Sequence, residues 1–143
     1  NKVIKNDNQK HYRQFACLNL SGKGYSFTGK KNTKNCNHII LPNLVVSGNM
    51  LSNDKVINKI VDNFKFKNEP LAKTLLEALK IGKKFGSDKR GLMSAALLVF
   101  KKNNPPLNIR VDHDTNPLVK LEKILKLTNK TKYKEWLKKL PTK

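Results

Sequence analysis

The apolar run at residues 94–100 (SAALLVF) constrains the fold of this chain more than any other segment. Its apolar side chains occupy both of the alternating faces that a β-strand presents. A strand of this composition is typical of a sheet that is covered on both faces. The run therefore predicts a layered α/β (α+β) protein in which this strand is buried on both sides.

The other hydrophobic patterns predict further strands and helices. Alternating residues predict strands over 25–28 and 107–111, and further strands are predicted over 13–20 and 44–46. The polar, asparagine-rich stretch 29–42 is predicted to be a loop. Helical periodicity predicts apolar stripes over 56–64, 71–79 and 118–125, with a short surface helix over 130–139. The order β-β-loop-β-α-α-β-β-α-α predicts sheets whose outer faces carry helices.

The 143 residues suit one domain, and their net charge of +20 raises the question of an anionic partner. Nucleic-acid interfaces rely on arginine for bidentate and stacked contacts. Arg13, Arg90 and Arg110 are the only arginines, and the lysines are scattered along the chain. This distribution favours a solvated lysine-rich surface over the alternative of a polyanion-binding protein. We expect no specific nucleic-acid partner.

The chain has no segment that predicts insertion into a membrane. Its longest apolar run is about seven residues, whereas a membrane-spanning helix needs roughly 20. The first ten residues lack the apolar core and cleavage site of a signal peptide. Cys17 and Cys36 are predicted to be free thiols in a reducing compartment, with one disulfide as the alternative. We expect a cytoplasmic protein with no membrane partner and no cofactor.

Four segments together resemble one known family. They are YRQFACLNLSGKGYSFTG (12–29), SGNML (47–51), PLAKTLLEALKIGKKFGSDKRGLMSAALLVF (70–100) and LNIRVDHDTNPLVKLEKIL (107–125). In this order they are similar to the DUF1028 family, uncharacterised bacterial and archaeal proteins classed with the N-terminal-nucleophile (Ntn) hydrolases. The most specific parts are Gly-Asn-Met-Leu and Gly-x-Asp-x-Arg-Gly-x-x-Ser-Ala-Ala. The resemblance implies one Ntn-hydrolase-like domain over residues 1–143, with a four-layer αββα sandwich.

The resemblance also implies a further N-terminal portion that carries the first strands of the sandwich. In Ntn hydrolases a Thr, Ser or Cys at the start of such a strand is the nucleophile, and its own α-amino group is the base. Asn1 has neither a hydroxyl nor a thiol, so we expect a sandwich that is incomplete at the N-terminus and a nucleophile outside this chain. An upstream segment or a second polypeptide would complete the sheet, and an exposed edge would favour a homo-oligomer.

Five residues are candidates for a site that binds a small-molecule substrate. Gly48 and Asn49 are candidate catalytic residues, because the glycine permits an unusual backbone and the asparagine amide can donate to a developing oxyanion. The alternative is an ordinary turn with Asn49 as a helix cap. Asp88 and Arg90 are candidate substrate-binding residues, or else a structural pair that fixes their loop. His38 is a candidate general base or hydrogen-bonding orienter, or a structural histidine.

Other polar residues are not expected to carry chemistry. Asp112, His113 and Asp114 resemble a metal-binding tripeptide, but neighbours on a strand point to opposite faces and no second ligand cluster accompanies them. Ser94 lacks the Gly-x-Ser-x-Gly elbow of a nucleophilic serine. We therefore expect no metal. The resemblance, together with the layered order of elements, implies a hydrolase that cleaves an amide bond of a small substrate, with a non-catalytic binding or assembly module of the same fold as the alternative.

Overall fold

The computed structural model describes residues 2–66 and 68–141, and these form a mixed α/β structure. The chain divides into two compact units, one of residues 1–64 and 81–91 and one of residues 65–80 and 92–143. In chain order the elements are α1 (Lys2–Lys5), a 3₁₀ turn (Lys10–Tyr12), β1 (Gln14–Leu18), β2 (Gly24–Thr28), β3 (Asn37–Leu41), β4 (Leu44–Gly48), α2 (Val56–Asn63), α3 (Leu71–Lys84), β5 (Ala95–Val99), β6 (Leu107–Val111), α4 (Pro117–Thr128) and α5 (Thr131–Leu137).

The first unit contains two antiparallel hairpins, β1–β2 and β3–β4, that pack against each other. The close approach is visible at Gly24, where a Cβ atom would lie 2.5 Å from the Val45 side chain and 2.9 Å from that of Ile40. A glycine is needed at this point because any larger residue would push the hairpins apart. The two hairpins therefore form two layers that lie close together at this point.

Helix α2 covers the other face of the β3–β4 hairpin. Its Val56 and Ile57 are each 1% exposed and form a small core with Leu51, against which Ile39 and Val46 of the hairpin pack. The periodicity that predicted an apolar stripe from residue 56 onward is confirmed. The first unit accordingly has three layers, in the order hairpin, hairpin, helix.

The prediction of a loop over 29–42 is wrong in its second half, because β3 occupies Asn37–Leu41. Ile39 packs on the α2 side, while Ile40 lies near Gly24 of the first hairpin. A strand that is apolar on both faces lacks the alternation by which half-buried strands are recognised, and the preceding asparagines and lysines lowered its apolar average. A two-residue turn at Pro42 and Asn43 closes the hairpin, with Asn43 at a φ of +60°.

The second unit contains the β5–β6 hairpin, which α4 covers on one face. The residues of its core share an exposure of less than 10%; they are Ala72, Leu76, Leu97, Ile109, Val111, Leu121 and Leu125. Strand β5 was predicted to be buried on both faces, but among the described residues only one of its faces is packed against other elements. Leu97 is 5% exposed, whereas Leu98 and Phe100 on the opposite face are 52% and 74% exposed.

None of the helices in the described part of the chain is both long enough and apolar enough to cross a lipid bilayer. The helices otherwise lie close to their predicted positions, because their apolar stripes mark the buried faces directly. Helix α4 begins with Pro117 in its first turn, as the sequence predicted.

Candidate functional site

A group of hydrogen-bonded side chains between the two hairpins of the first unit centres on Gln14, the first residue of β1. Its Nε2 carries two hydrogens and lies within hydrogen-bond distance of three acceptor oxygens: Thr28 Oγ1 at 2.9 Å, the Gly48 carbonyl at 3.0 Å and the Asn37 carbonyl at 3.1 Å. Thr28 faces Gln14 across the β1–β2 pair, and Asn37 faces Gly48 across the β3–β4 pair. One carboxamide thus joins the ends of both hairpins.

Asn49 and His38 are hydrogen-bonded to the two ends of this group. Asn49 Nδ2 donates to Gln14 Oε1 at 3.0 Å, and His38 Nδ1 lies 2.9 Å from Thr28 Oγ1. The side chains therefore form a continuous series, Asn49–Gln14–Thr28–His38, which we call the amide relay. Asn49 is exposed, and its second Nδ2 hydrogen has no hydrogen-bond partner within the described ranges.

The backbone that follows Asn49 is held in an unfavourable conformation. Met50 has a φ of +53°, which costs a non-glycine residue roughly 1–3 kcal/mol. Its N–H donates to Thr33 Oγ1 at 2.9 Å, and the N–H of Leu51 donates to the Asn35 carbonyl at 3.2 Å. These bonds fix the direction in which the chain leaves β4, and so the position of Asn49.

The loop 86–91 holds the same segment from its other side. Lys89 N–H donates to the Met50 carbonyl at 2.8 Å, and Leu51 pairs with Asp88 in an isolated antiparallel bridge. Ser87 also has a positive φ, +62°, and its carbonyl accepts from Ser52 N–H at 3.0 Å. Two strained residues, Met50 and Ser87, therefore lie in two segments that hydrogen-bond to each other.

Asp88 and Arg90 bind each other in this loop. Arg90 Nη2 donates to Asp88 Oδ2 at 2.6 Å and Nε donates to Oδ1 at 3.0 Å, while the Arg90 backbone N–H donates to Oδ1 at 2.8 Å. These bonds favour the carboxylate form, so the Arg90 guanidinium, and then the Arg90 N–H, lower the pKa of Asp88 from 3.8 to about 2. The Nη1 group of Arg90 has no hydrogen-bond partner in the described parts of the chain.

We expect the ionised form of Asp88 to stabilise the folded chain. Because folding lowers its pKa to about 2, the contribution is complete above the unfolded pKa of about 3.9 and is lost as the pH falls through the folded value. In an NMR titration of the carboxyl carbons, Arg90→Ala should raise the pKa of Asp88 towards its ordinary range. Arg110→Ala, which removes the partner of Asp112, should leave it unchanged. A pKa that stays near 2 in Arg90→Ala would contradict the assignment to the guanidinium.

The structure brings the five predicted residues into one region in two groups. Gly48, Asn49 and His38 belong to the amide relay or accept from it, as the Gly48 carbonyl does. Asp88 and Arg90 are connected to this group through the backbone of Met50 and Leu51; no side-chain hydrogen bond between the two groups is present in the described residues. Sequence reasoning missed Gln14 and Thr28, which carry no motif and meet their partners only in the folded hairpins.

The other polar residues considered in the sequence have ordinary surface contacts. Cys17 and Cys36 are both free. Asp112 pairs with Arg110 and Asp114 with Lys120. Within residues 2–66 and 68–141, no group of three or more His, Cys, Asp or Glu side chains has an arrangement that would hold a metal ion.

Comparison with protein families gives a match over most of the chain. The model of DUF1028, described as a family of unknown function, matches residues 1–121. The chain belongs to the DUF1028 family. The resemblance inferred from the four motif segments is thereby confirmed.

A solved DUF1028 structure shares the fold of this chain. It is the crystal structure of a DUF1028 protein from Silicibacter pomeroyi, 29% identical in sequence, with a TM-score of 0.88. The alignment covers 99% of this chain and 63% of the Silicibacter protein, so the chain spans less than two thirds of that DUF1028 protein's length. A search of curated proteins finds no match.

Proposed function

We propose that this chain supplies the oxyanion-binding side of an amide hydrolase of Ntn type. The observation that carries the proposal is the state of Asn49: its carboxamide is fixed by Gln14 at 3.0 Å, and one Nδ2 hydrogen remains without a partner within the described ranges. A preorganised amide donor of this kind stabilises the negative charge that develops on a carbonyl oxygen during acyl transfer. The residue that follows it, Met50, has a positive φ and is fixed by hydrogen bonds to Thr33 and Lys89.

The other site residues have roles in the same proposal. Arg90 would bind a carboxylate of the substrate through its free Nη1 group while Asp88 holds the guanidinium in place. His38 would act at the far end of the amide relay, and Gly48 allows the close packing at the end of β4. The nucleophile belongs to a segment outside these 143 residues, in a four-layer αββα sandwich of which the three layers of the first unit would be part.

The test uses the intact native protein and a panel of p-nitroanilides with acetyl, phenylacetyl and γ-glutamyl groups. We expect release of p-nitroaniline from at least one member, with a kcat that Asn49→Ala lowers by about 10²- to 10³-fold, the usual effect of removing one oxyanion donor. Asn58→Ala is the matched control, because Asn58 is an exposed asparagine on α2.

Two results bear on the proposal in different ways. An Asn49→Ala enzyme with an unchanged kcat would contradict the role of Asn49. N-terminal sequencing of the native protein tests the nucleophile separately: a mature upstream chain that begins with Thr, Ser or Cys supports the Ntn assignment. Any other first residue, together with no hydrolysis, would favour a module without catalysis.

One observation favours that second candidate, a non-catalytic assembly module. Strand β5 is paired along one edge only within the described structure, and its outer face leaves Leu98 and Phe100 exposed. Its neighbour β6 carries the polar residues Asn108 and Arg110 on the same face, as is typical of a strand at the edge of a sheet. Strand β5, in contrast, has the apolar composition of a strand in the centre of a sheet. We propose that a further strand, from an upstream segment or a second polypeptide, pairs with β5.

Self-association of the isolated chain is the simplest measure of this surface. We expect the chain to be larger than a monomer in light scattering, because two exposed β5 edges can pair with each other. Leu98→Lys should make it monomeric, whereas Leu127→Lys, an equally exposed leucine on α4, should not. A wild-type chain that is monomeric at all concentrations would contradict pairing between copies.

A further inference from the structure

The amide relay connects two residues, Asn49 and His38, that have no direct hydrogen bond in the described structure. In the proposed hydrolysis its centre, Gln14, enters only through its hydrogen bond to Asn49. The orientation of a glutamine carboxamide follows from its surroundings, because its nitrogen can only donate and its oxygen can only accept. The bonds of Gln14 therefore determine how the groups on either side are oriented.

Two backbone carbonyls decide the orientation of Gln14. Those of Asn37 and Gly48 lie 3.1 and 3.0 Å from Nε2 and can only accept. Turning the carboxamide over would place Oε1 against both carbonyl oxygens. The nitrogen must therefore face the carbonyls, and Oε1 must face Asn49. Asn49 in turn has to present its nitrogen to Gln14, since only a donor can meet Oε1.

The same reasoning extends to His38 through Thr28. Gln14 Nε2 also lies 2.9 Å from Thr28 Oγ1, and because this nitrogen can only donate, the Thr28 hydroxyl hydrogen cannot point towards it. The hydroxyl hydrogen has one acceptor within the described hydrogen bonds, His38 Nδ1 at 2.9 Å. The arrangement that satisfies every group in this partly buried cluster leaves Nδ1 bare and places the proton of the neutral ring on Nε2.

We propose that Gln14 is a positioning residue, which fixes the amide orientation of Asn49 and, through Thr28, holds His38 as the Nε2–H tautomer. A neutral His38 in this form offers a donor at Nε2, not a base. Of the two roles open to this histidine, the relay therefore selects the hydrogen-bonding orienter. Asn49 and His38 would both present N–H groups, which suits a substrate whose reacting oxygen gains negative charge. The functional meaning of this inference rests on the proposed hydrolysis, but the experiment that tests it requires no substrate.

The test is an NMR measurement on the ¹⁵N-labelled chain at about pH 8, where imidazole groups are ordinarily neutral. Long-range ¹H–¹⁵N correlation distinguishes a protonated ring nitrogen from a bare one. His11→Gln and His113→Gln, both at exposed positions, assign the remaining signals to His38. We expect a single tautomer with Nε2 protonated. Protonated Nδ1 in the wild-type chain would overturn the proposal.

Variants separate positioning from a general structural role. Thr28→Val keeps the side-chain shape without the hydroxyl, so His38 should become a mixture of tautomers, and Thr28→Ser should restore the single form. Gln14→Met should change the Asn49 side-chain NH₂ signals and convert His38 from a single tautomer to a mixture of both. Gln9→Met, the same change at an exposed glutamine, should alter neither. If Gln14→Met does not fold, the Thr28→Val and Thr28→Ser pair decides, and unchanged tautomers in Thr28→Val would overturn the proposal.

The outcome is independent of the hydrolysis assay because no substrate is involved. A relay that behaves as described in a protein that hydrolyses no amide would refute the proposed reaction and leave the positioning role of Gln14 in place. Hydrolysis that depends on Asn49, together with a His38 that is protonated on Nδ1, would support the proposed reaction and refute the positioning role of Gln14.

Discussion

Replacing Gly86 by alanine is expected to lower the free energy of unfolding by about 2–4 kcal/mol. Gly86 has a φ of +138°, which L-residues rarely adopt and which by itself costs roughly 1–3 kcal/mol. A Cβ atom would also overlap Ser52 Oγ and lie 2.6 Å from Asn53 Nδ2. Asn53 could then no longer donate to the Phe85 carbonyl, a bond of 2.9 Å worth about 1 kcal/mol. Urea unfolding followed by circular dichroism measures the loss.

Gly91 provides the matched control at the other end of the same loop. Its φ is also positive, +97°, but a Cβ atom there would meet nothing within 4 Å. Gly91→Ala should therefore cost only the backbone strain, roughly 1–3 kcal/mol, and less than Gly86→Ala. An equal loss in both variants would show that the contacts of Gly86 with Ser52 and Asn53 do not matter. Because this loop binds Met50 and Leu51, Gly86→Ala should also shift the backbone amide signals of those two residues.

The sequence predicted most elements because their buried faces leave periodic patterns. Strands β1, β2 and β6 and helices α2, α3 and α4 were located by such patterns. Strand β3 was missed because its apolar residues point to both faces and therefore do not alternate. The run at 94–100 was recognised as a strand, but its composition could not show that one of its two apolar faces is exposed in the described residues.

The candidate site was predictable only where a residue type is unusual for its context. Arg90 drew attention because arginine is rare in a lysine-rich chain, and Gly48 and Asn49 because a glycine precedes an amide at a strand end. Gln14 had no such signal. Its partners Asn37, Gly48 and Asn49 are 23 to 35 residues away in the sequence, and only the packing of two hairpins brings them together. A polar network of this kind depends on tertiary structure, which local patterns do not encode.

Leu121→Ala is expected to lower the free energy of unfolding by about 3–5 kcal/mol. Leu121 is fully buried at the centre of the second unit, where it packs in one cluster with Leu76, Leu97 and Ile109. Removing a buried leucine side chain loses its transfer free energy and leaves a cavity that the neighbours fill only partly. Leu97 lies on β5 and Ile109 on β6, so the cavity would lie against the inner face of this hairpin. Denaturant unfolding gives the magnitude.

Leu98→Ala is the control that separates the two faces of the same hairpin. Leu98 follows Leu97 but is 52% exposed on the outer face, so its truncation should cost less than about 1 kcal/mol in the isolated chain. The same variant should weaken the binding of a strand that pairs with β5, because the side chains of that strand would contact Leu98 on the same face of the sheet. A loss from Leu98→Ala as large as that from Leu121→Ala in a monomeric chain would mean that the outer face is already covered there. A small loss in stability together with weakened association would instead assign the apolar outer face of β5 to assembly.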